Sequence, residues 1–196
     1  MVMKEKLTEK IARLEEEVKI LRRDAIHDYL TGLKTRAYFE KVLELYFVKK
    51  EDSQRKTCPL VEEVSLIFFD IDNFKKINDT YGHSTGDSVL KEISKIILEN
   101  IRENDIAARW GGEEIVVCLP GAIKEDASIK AEIIRKKILK NPIENIPVTV
   151  SAGVSSKDSC DPIDELFREA DEALYEAKRS GKNKVVCAPA KNRTWI

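Results

Sequence analysis

The chain has 196 residues, enough for one ordinary domain with an accessory element and too few for two full ones. An apolar share of 42% beside a charged share of 35% describes a soluble globular protein with a heavily charged surface or a long exposed helix, and does not indicate disorder. A formal net charge of -1 leaves no overall field to recruit a nucleic-acid polymer or an anionic membrane, so any phosphate recognition has to be local.

The opening stretch LTEKIARLEEEVKILRRDA places Leu7, Ile11, Leu14, Val18, Leu21 and Ala25 at alternating spacings of four and three among Glu, Lys and Arg. That stripe predicts a coiled-coil helix over residues 1–27 pairing two chains in parallel; an amphipathic helix packed on its own domain is the other reading. The stripe breaks at Thr31 and Gly32, so residues 28–36 read as a hinge before a helical pattern restarts around Ala37, Val42 and Leu45. A polar joint containing Pro59 leads into VSLIFFD, whose unbroken apolar run predicts a central strand covered on both faces. HSTGDSVLKEISKIILENI follows as a helix, capped by Ser84 or Thr85, with Leu90, Ile93, Ile97 and Ile101 inward. DIAARWGGEEIVVCLP reads as a hairpin in which Gly111 and Gly112 can take the positive φ of a tight turn. A helix in EDASIKAEIIRKKILKN and a strand in PVTVSAGVS come next. The helix in PIDELFREADEALYEAKRSG turns Ile163, Leu166, Ala170, Ala173, Leu174 and Ala177 inward and ends at Gly181, and KVVCA closes the sheet. Residues 189–196 read as a tail, and the whole is an α/β arrangement with a mixed sheet flanked by helices.

The four cysteines, Cys58, Cys118, Cys160 and Cys187, form no CxxC pair, and with two histidines they predict reduced thiols in a cytoplasmic protein rather than a zinc site. The first residues lack a signal-peptide core, and no apolar run approaches the roughly 18 residues that a membrane span requires.

The chemistry concentrates in two places. At the end of the buried strand, Asp70 and Asp72 project to the same face if extended geometry persists, and carboxylates so close repel unless a cation lies between them. Hard oxygen ligands at a strand end suit magnesium, which binds through one or two carboxylates plus substrate phosphates. Glu113 and Glu114, at the tip of the hairpin, complete such a site if the two strands are neighbours. Metal-assisted phosphoryl or nucleotidyl transfer is the class implied. The chain has no GxxxxGK[ST] loop and no GxGxxG, which argues against P-loop and Rossmann binding, and Lys75, Lys178 and Lys182 are candidates to neutralise phosphates.

These residues resemble the GGDEF-domain diguanylate cyclases, whose signature appears here as Gly111-Gly112-Glu113-Glu114-Ile115. DYLTGLKTRAYF is similar to the family's domain-opening motif, FFDIDNFKKINDTYGHSTGDSVL to its metal and guanine segment, ARWGGEEI to its hairpin, VTVSAGV to a core strand and ADEALYEAKRSGKNKV to its last helix, in the same order over residues 28–188. The resemblance implies a palm-like fold, as in nucleotidyl cyclases and ferredoxin-like proteins, and the condensation of two GTP into cyclic di-GMP with release of two pyrophosphates. It implies that Asp70, the carbonyl of Ile71 and Glu113 bind Mg2+ or Mn2+, and that Glu114 lies beside the ribose 3'-hydroxyl; Glu113 and Glu114 both stand as candidate base. Asn78 and Asp87 match guanine-reading positions, with His83 in the same segment, and a carboxylate at Asp87 can accept from guanine N1–H and the 2-amino group, which favours GTP over ATP. The amides of Asn73, Phe74 and Lys75, with Lys178 and Lys182, match phosphate-contacting positions. Arg102 and Asp105 form an RxxD pattern five residues before the signature, the arrangement of the family's product-inhibition site, where an arginine fork can grip guanine or phosphate.

Ile115 departs from the family's phenylalanine, but a strand position there needs only an apolar side chain. Two phosphodiester bonds between two GMP units require two domains to face each other, and a homodimer through the N-terminal helix raises their effective concentration. The readings from other classes are a catalytically silent cyclic di-GMP-binding module and a purely structural coiled-coil dimeriser.

Overall fold

In the computed structural model, which describes residues 10, 11, 13, 14, 17, 25–47, 61, 63–158 and 162–189, the apolar run at mid-chain is the centre of a six-stranded sheet. The elements are β1 (Lys34–Thr35), α1 (Arg36–Leu43), β2 (Glu63–Ile71), α2 (Phe74–Tyr81), α3 (His83–Leu98), β3 (Ile106–Gly111), β4 (Glu114–Pro120), α4 (Lys124–Lys140), β5 (Val150–Asp158), α5 (Ile163–Arg179) and β6 (Val185–Cys187). The strand order is β1-β3-β4-β2-β5-β6, with β2 antiparallel to β4 and β5, and with β1 and β6 added in parallel at the edges. The mixed palm-like sheet flanked by helices is thus the architecture the sequence predicts.

Period-two alternation in β2 feeds two separate cores. Ile67, Phe69 and Ile71 pack with Ile93 and Ile97 of α3 and Ile134 and Ile138 of α4. Leu66 and Phe68 point the other way, into a second core with Phe39 and Leu43 of α1 and Leu166, Ala170 and Leu174 of α5. Each such side chain, fully buried, contributes on the order of 1.5–3 kcal/mol, and burial on both faces explains why the strand is apolar throughout. Ile115 is completely buried in the first core, as expected of an apolar strand position.

α5 lies directly on the sheet because β5 carries Gly153 where the two meet. A Cβ there would stand 2.0 Å from the Ala170 carbonyl oxygen and 2.4 Å from the Leu174 amide nitrogen. This close approach fixes where the last turn of α5, with Lys178, emerges. Gly181 follows with φ of 114°, and it lies one residue beyond the helix cap Ser180.

Several details differ from the sequence reading. The helix expected from His83 onward is preceded by a separate helix, α2, and its cap is Gly82 at φ 88°, so Ser84 and Thr85 lie inside its first turn. In the hairpin only Gly112 takes a positive φ, 38°, while Gly111 ends β3. The stretch read as a hinge contains β1 and a hydrogen-bonded turn in which the Asp28 carboxylate accepts from the Thr31 amide at 2.9 Å and hydroxyl at 2.7 Å. Leu7, Val18 and Leu21 of the heptad stripe, Cys58, Cys160 and nearly all of the tail lie outside the described residues; Ile11 and Leu14 are half exposed. Cys118 and Cys187 are free thiols, the former buried.

Candidate active site at the β2 end and the β3–β4 hairpin

The register of β2 against β4 sets the site. Asp70 pairs across the ladder with Glu114, and Glu113 occupies the turn between β3 and β4. A bulge between Arg109 and Gly111 leaves Trp110 unpaired and bends the hairpin. Trp110 is held by stacking on Phe167 at 4.8 Å, by edge contacts with Phe39 and Phe68, and by the Arg36 guanidinium 4.1 Å from its ring centre. The Arg109 guanidinium grips the carbonyl oxygen of Gly112 through Nε at 3.1 Å and Nη2 at 2.9 Å. Its Nη1 reaches both Asp28 carboxylate oxygens at 3.3 Å, tying the tip of the hairpin to the turn that opens the domain. Burial acts to raise the Asp28 carboxyl, but the Thr31 hydrogen bonds and the Arg109 charge outweigh it and hold the group below its ordinary value.

Asp70 is buried and surrounded by like charge. Burial, followed by Glu113 and Asp72, pushes its carboxyl up, opposed by the Lys178 ammonium 2.7 Å away. Glu114 is pushed up by burial and then by Asp70, with Glu113 and Asp171 adding to it and Lys178 opposing. Carboxylates crowded in this way gain from a cation among them. Among the described residues no group of three or more Asp, Glu, His or Cys side chains is placed to hold a metal ion by itself. Asp70, the carbonyl of Ile71 at the end of β2, and Glu113 offer an open oxygen set, which fits an ion such as magnesium that retains waters and shares substrate phosphates.

Asp72 behaves differently from the paired-ligand expectation. Its Oδ1 accepts from the Ser151 hydroxyl at 2.7 Å, and its Oδ2 accepts from the Thr149 hydroxyl at 2.7 Å and the Asn183 amide at 3.0 Å. Ser151 is the cross-strand partner of Asp70, so both aspartates lie on the same side of the sheet as their spacing predicts. Asp72, however, is satisfied without a cation, and it holds the loop after α5. That loop presents Lys182, at φ 62°, whose ammonium donates to Asn73 Oδ1 at 2.6 Å. Arg135 of α4 supports the loop from behind, donating to Asn183 Oδ1 at 2.6 Å. Lys178 and Lys182 therefore converge on the β2–α2 connection. There Asn73 takes the left-handed conformation (φ 59°) and Phe74 and Lys75 begin a helix, an N-terminus disposed to meet an anion.

The predicted guanine-reading residues sit on α2 and α3. The Asn78 carboxamide lies against Gly86, where an added Cβ would stand 1.9 Å from Asn78 Oδ1, and Asp87 follows directly, exposed, as is His83 at the start of α3. On the far side of β3, Asp105 Oδ2 accepts from the Arg102 amide at 2.8 Å and Arg102 is exposed at the rim of a groove of about 460 Å³. The structure thus brings Asp70, Glu113 and Glu114 to one end of the β2–β4 pair, sets Asn78 and Asp87 on α2 and α3, and leaves Arg102 and Asp105 in a groove apart from them. The sequence reading missed Arg109, Asp28, Asn183, Arg135 and Gly86 as supporting residues. Only Gly86, a glycine inside a helical pattern, carried a local signal for close packing.

The family described as "Diguanylate cyclase, GGDEF domain" matches residues 25–184. The chain is 40% identical over 177 residues to the diguanylate cyclase DgcM of Escherichia coli, covering 90% of this chain and 41% of that protein, so it spans about two fifths of that relative's length. Its structure resembles the coiled coil and GGDEF domain of DgcB from Caulobacter crescentus in complex with c-di-GMP, with a TM-score of 0.82 and 29% identity over 93% of this chain and 96% of that one. It also resembles the active GGEEF domain of a diguanylate cyclase from Vibrio cholerae, with a TM-score of 0.63 and 37% identity over 66% of this chain and 85% of that one.

Proposed function

The chain belongs to the GGDEF-domain diguanylate cyclase family, and from that membership we propose that it condenses two GTP into cyclic di-GMP with release of two pyrophosphates. The observation that carries this reading is the β2–β4 register, which sets Asp70 opposite Glu114 and next to Glu113, with Lys178 on the same carboxylate. The similar Vibrio cholerae domain, described as active, is named for the same GGEE pair.

In this reading Asp70, the Ile71 carbonyl and Glu113 hold a magnesium or manganese ion, which supplies neutralisation of triphosphate charge. Lys178 and Lys182 grip phosphate oxygens, and the amides of Asn73, Phe74 and Lys75 close around them. Asn78 and Asp87 read the guanine edge, with His83 alongside. Glu113 or Glu114 orients the ribose 3'-hydroxyl and receives its proton as the oxygen attacks the α-phosphate of the GTP held by a facing domain; burial and the Asp70 charge raise the Glu114 carboxyl, which suits it to hold a proton. Each domain contributes one half-site, so the working unit is a homodimer, brought together through the N-terminal helix. The RxxD pair Arg102 and Asp105 binds the product and limits turnover.

Purified protein, stripped of nucleotide, is to be incubated with magnesium and GTP, then ATP, and the products identified by chromatography and mass. Cyclic di-GMP from GTP alone, lost in Glu113→Gln and falling more than proportionally on enzyme dilution, is the expected result; no product would leave a cyclic di-GMP-binding module as the better reading.

A further inference from the structure

The groove beside Arg102 holds a second cation besides the RxxD arginine, with Glu103 and Asp105 as its acidic lining. Lys34 of β1 also lines it, and among the described residues neither its ammonium nor the Arg102 guanidinium has a carboxylate partner. The Lys34 ammonium instead donates to His27 Nε2 at 3.0 Å and stands 5.0 Å from the centre of the Tyr38 ring. His27 Nδ1 lies 3.0 Å from the Gly32 carbonyl oxygen, which can only accept, so Nδ1 carries the proton and Nε2 is the acceptor that the ammonium needs. An uncharged imidazole thus fixes the position of a cation without neutralising it. Leu33, Leu98 and Ile101 also line the groove and give it apolar surface suited to a planar base.

We propose that Lys34, held by His27, is a second phosphate-gripping residue of this groove, so that a planar dianionic nucleotide of the cyclic di-GMP type bridges Arg102 on the β3 side to Lys34 on the β1 side. The inference rests on the reading of the groove as a cyclic di-GMP site. It adds a route by which occupancy reaches the catalytic hairpin. Lys34 and His27 bracket the turn in which the Gly32 amide donates to the Asp28 carbonyl at 2.9 Å and the Asp28 amide to the Leu33 carbonyl at 2.8 Å. Asp28 in turn bonds Arg109, which holds the Gly112 carbonyl at the hairpin tip. A ligand clamped to Lys34 therefore acts on the element that positions Glu113.

The test is calorimetric titration of the stripped full chain with cyclic di-GMP, for the parent, Arg102→Ala, Lys34→Met and Lys34→Arg. Loss of one charge-assisted contact is expected to weaken binding by about tenfold in Lys34→Met, with Lys34→Arg near the parent. The product concentration giving half-inhibition should shift by the same factor. Ligand should also slow amide exchange at Asp28 and Gly32 in the parent and in Lys34→Arg but not in Lys34→Met. Parent-like binding by Lys34→Met alongside loss in Arg102→Ala overturns the role of Lys34 and leaves the groove reading standing. No binding by the parent overturns both.

Discussion

Around Asp70 negative groups outnumber the donors that could satisfy them, whereas around Asp72, two residues further along on the same side of the sheet, every carboxylate oxygen is already engaged. Asp70 has one cationic partner, Lys178, against the charges of Glu113 and Asp72. Asp72 has three neutral donors, from Thr149, Ser151 and Asn183. The residue type is the same, so the difference lies in what the fold places opposite. A carboxylate left short of donors beside others gains from a cation; one with its hydrogen bonds complete is a structural tie that positions a loop.

The largest effect that would test this contrast is in activity. Asp70→Asn is expected to lower cyclic di-GMP formation by about 10³-fold with the fold kept, measured by product chromatography and circular dichroism. Asp72→Ala should do the reverse. It leaves two hydroxyls and a backbone amide without their acceptor in a buried setting, and denaturant unfolding should register a loss of about 2–5 kcal/mol. If Asp72→Ala instead abolished turnover at unchanged stability, Asp72 would be a ligand and the contrast would fail. Gly86→Ala sharpens it at the guanine end. The new methyl would displace the Asn78 carboxamide, so KM for GTP should rise by about tenfold, with a smaller change in kcat.

The smallest effect is in pH-dependent stability. Burial and the Asp70 and Glu113 charges raise the Glu114 carboxyl above its ordinary 4.5, so the folded chain holds that proton more tightly than the unfolded one. Its stabilising contribution is complete below pH 4.5 and is lost as pH rises through the raised value. Glu114→Gln does not suffer that loss, so its melting temperature should exceed the parent's by about 1–3 °C near pH ~8, the gap closing below pH ~4.5. An equal gap at every pH would show that the carboxylate is not under this strain.

Much of the fold was legible because it is written in local pattern. The unbroken run of β2, the inward stripe of α5 from Ile163 to Ala177 and Gly112 at the hairpin turn each follow from periodicity or φ requirements within a few residues. The boundary between α2 and α3 was not legible, because Tyr81, Gly82 and His83 interrupt the chain by one glycine at φ 88° rather than by a cluster of turn residues. The contacts that order the stretch read as a hinge were not legible for a different reason. Thr31 and Gly32 do break the heptad stripe, but the turn they form is fastened by Asp28, whose partner Arg109 lies 81 residues away.

By itself, the amino-acid sequence determined the element types, the two-sided burial of the central strand and the acidic and basic inventory of the site, since these depend on spacing and side-chain chemistry alone. The tertiary structure decided what each charged group does. Thr149, Ser151 and Asn183 reach Asp72 from 77, 79 and 111 residues away, and no local pattern records which carboxylate such distant donors will satisfy and which they will leave in need of a cation.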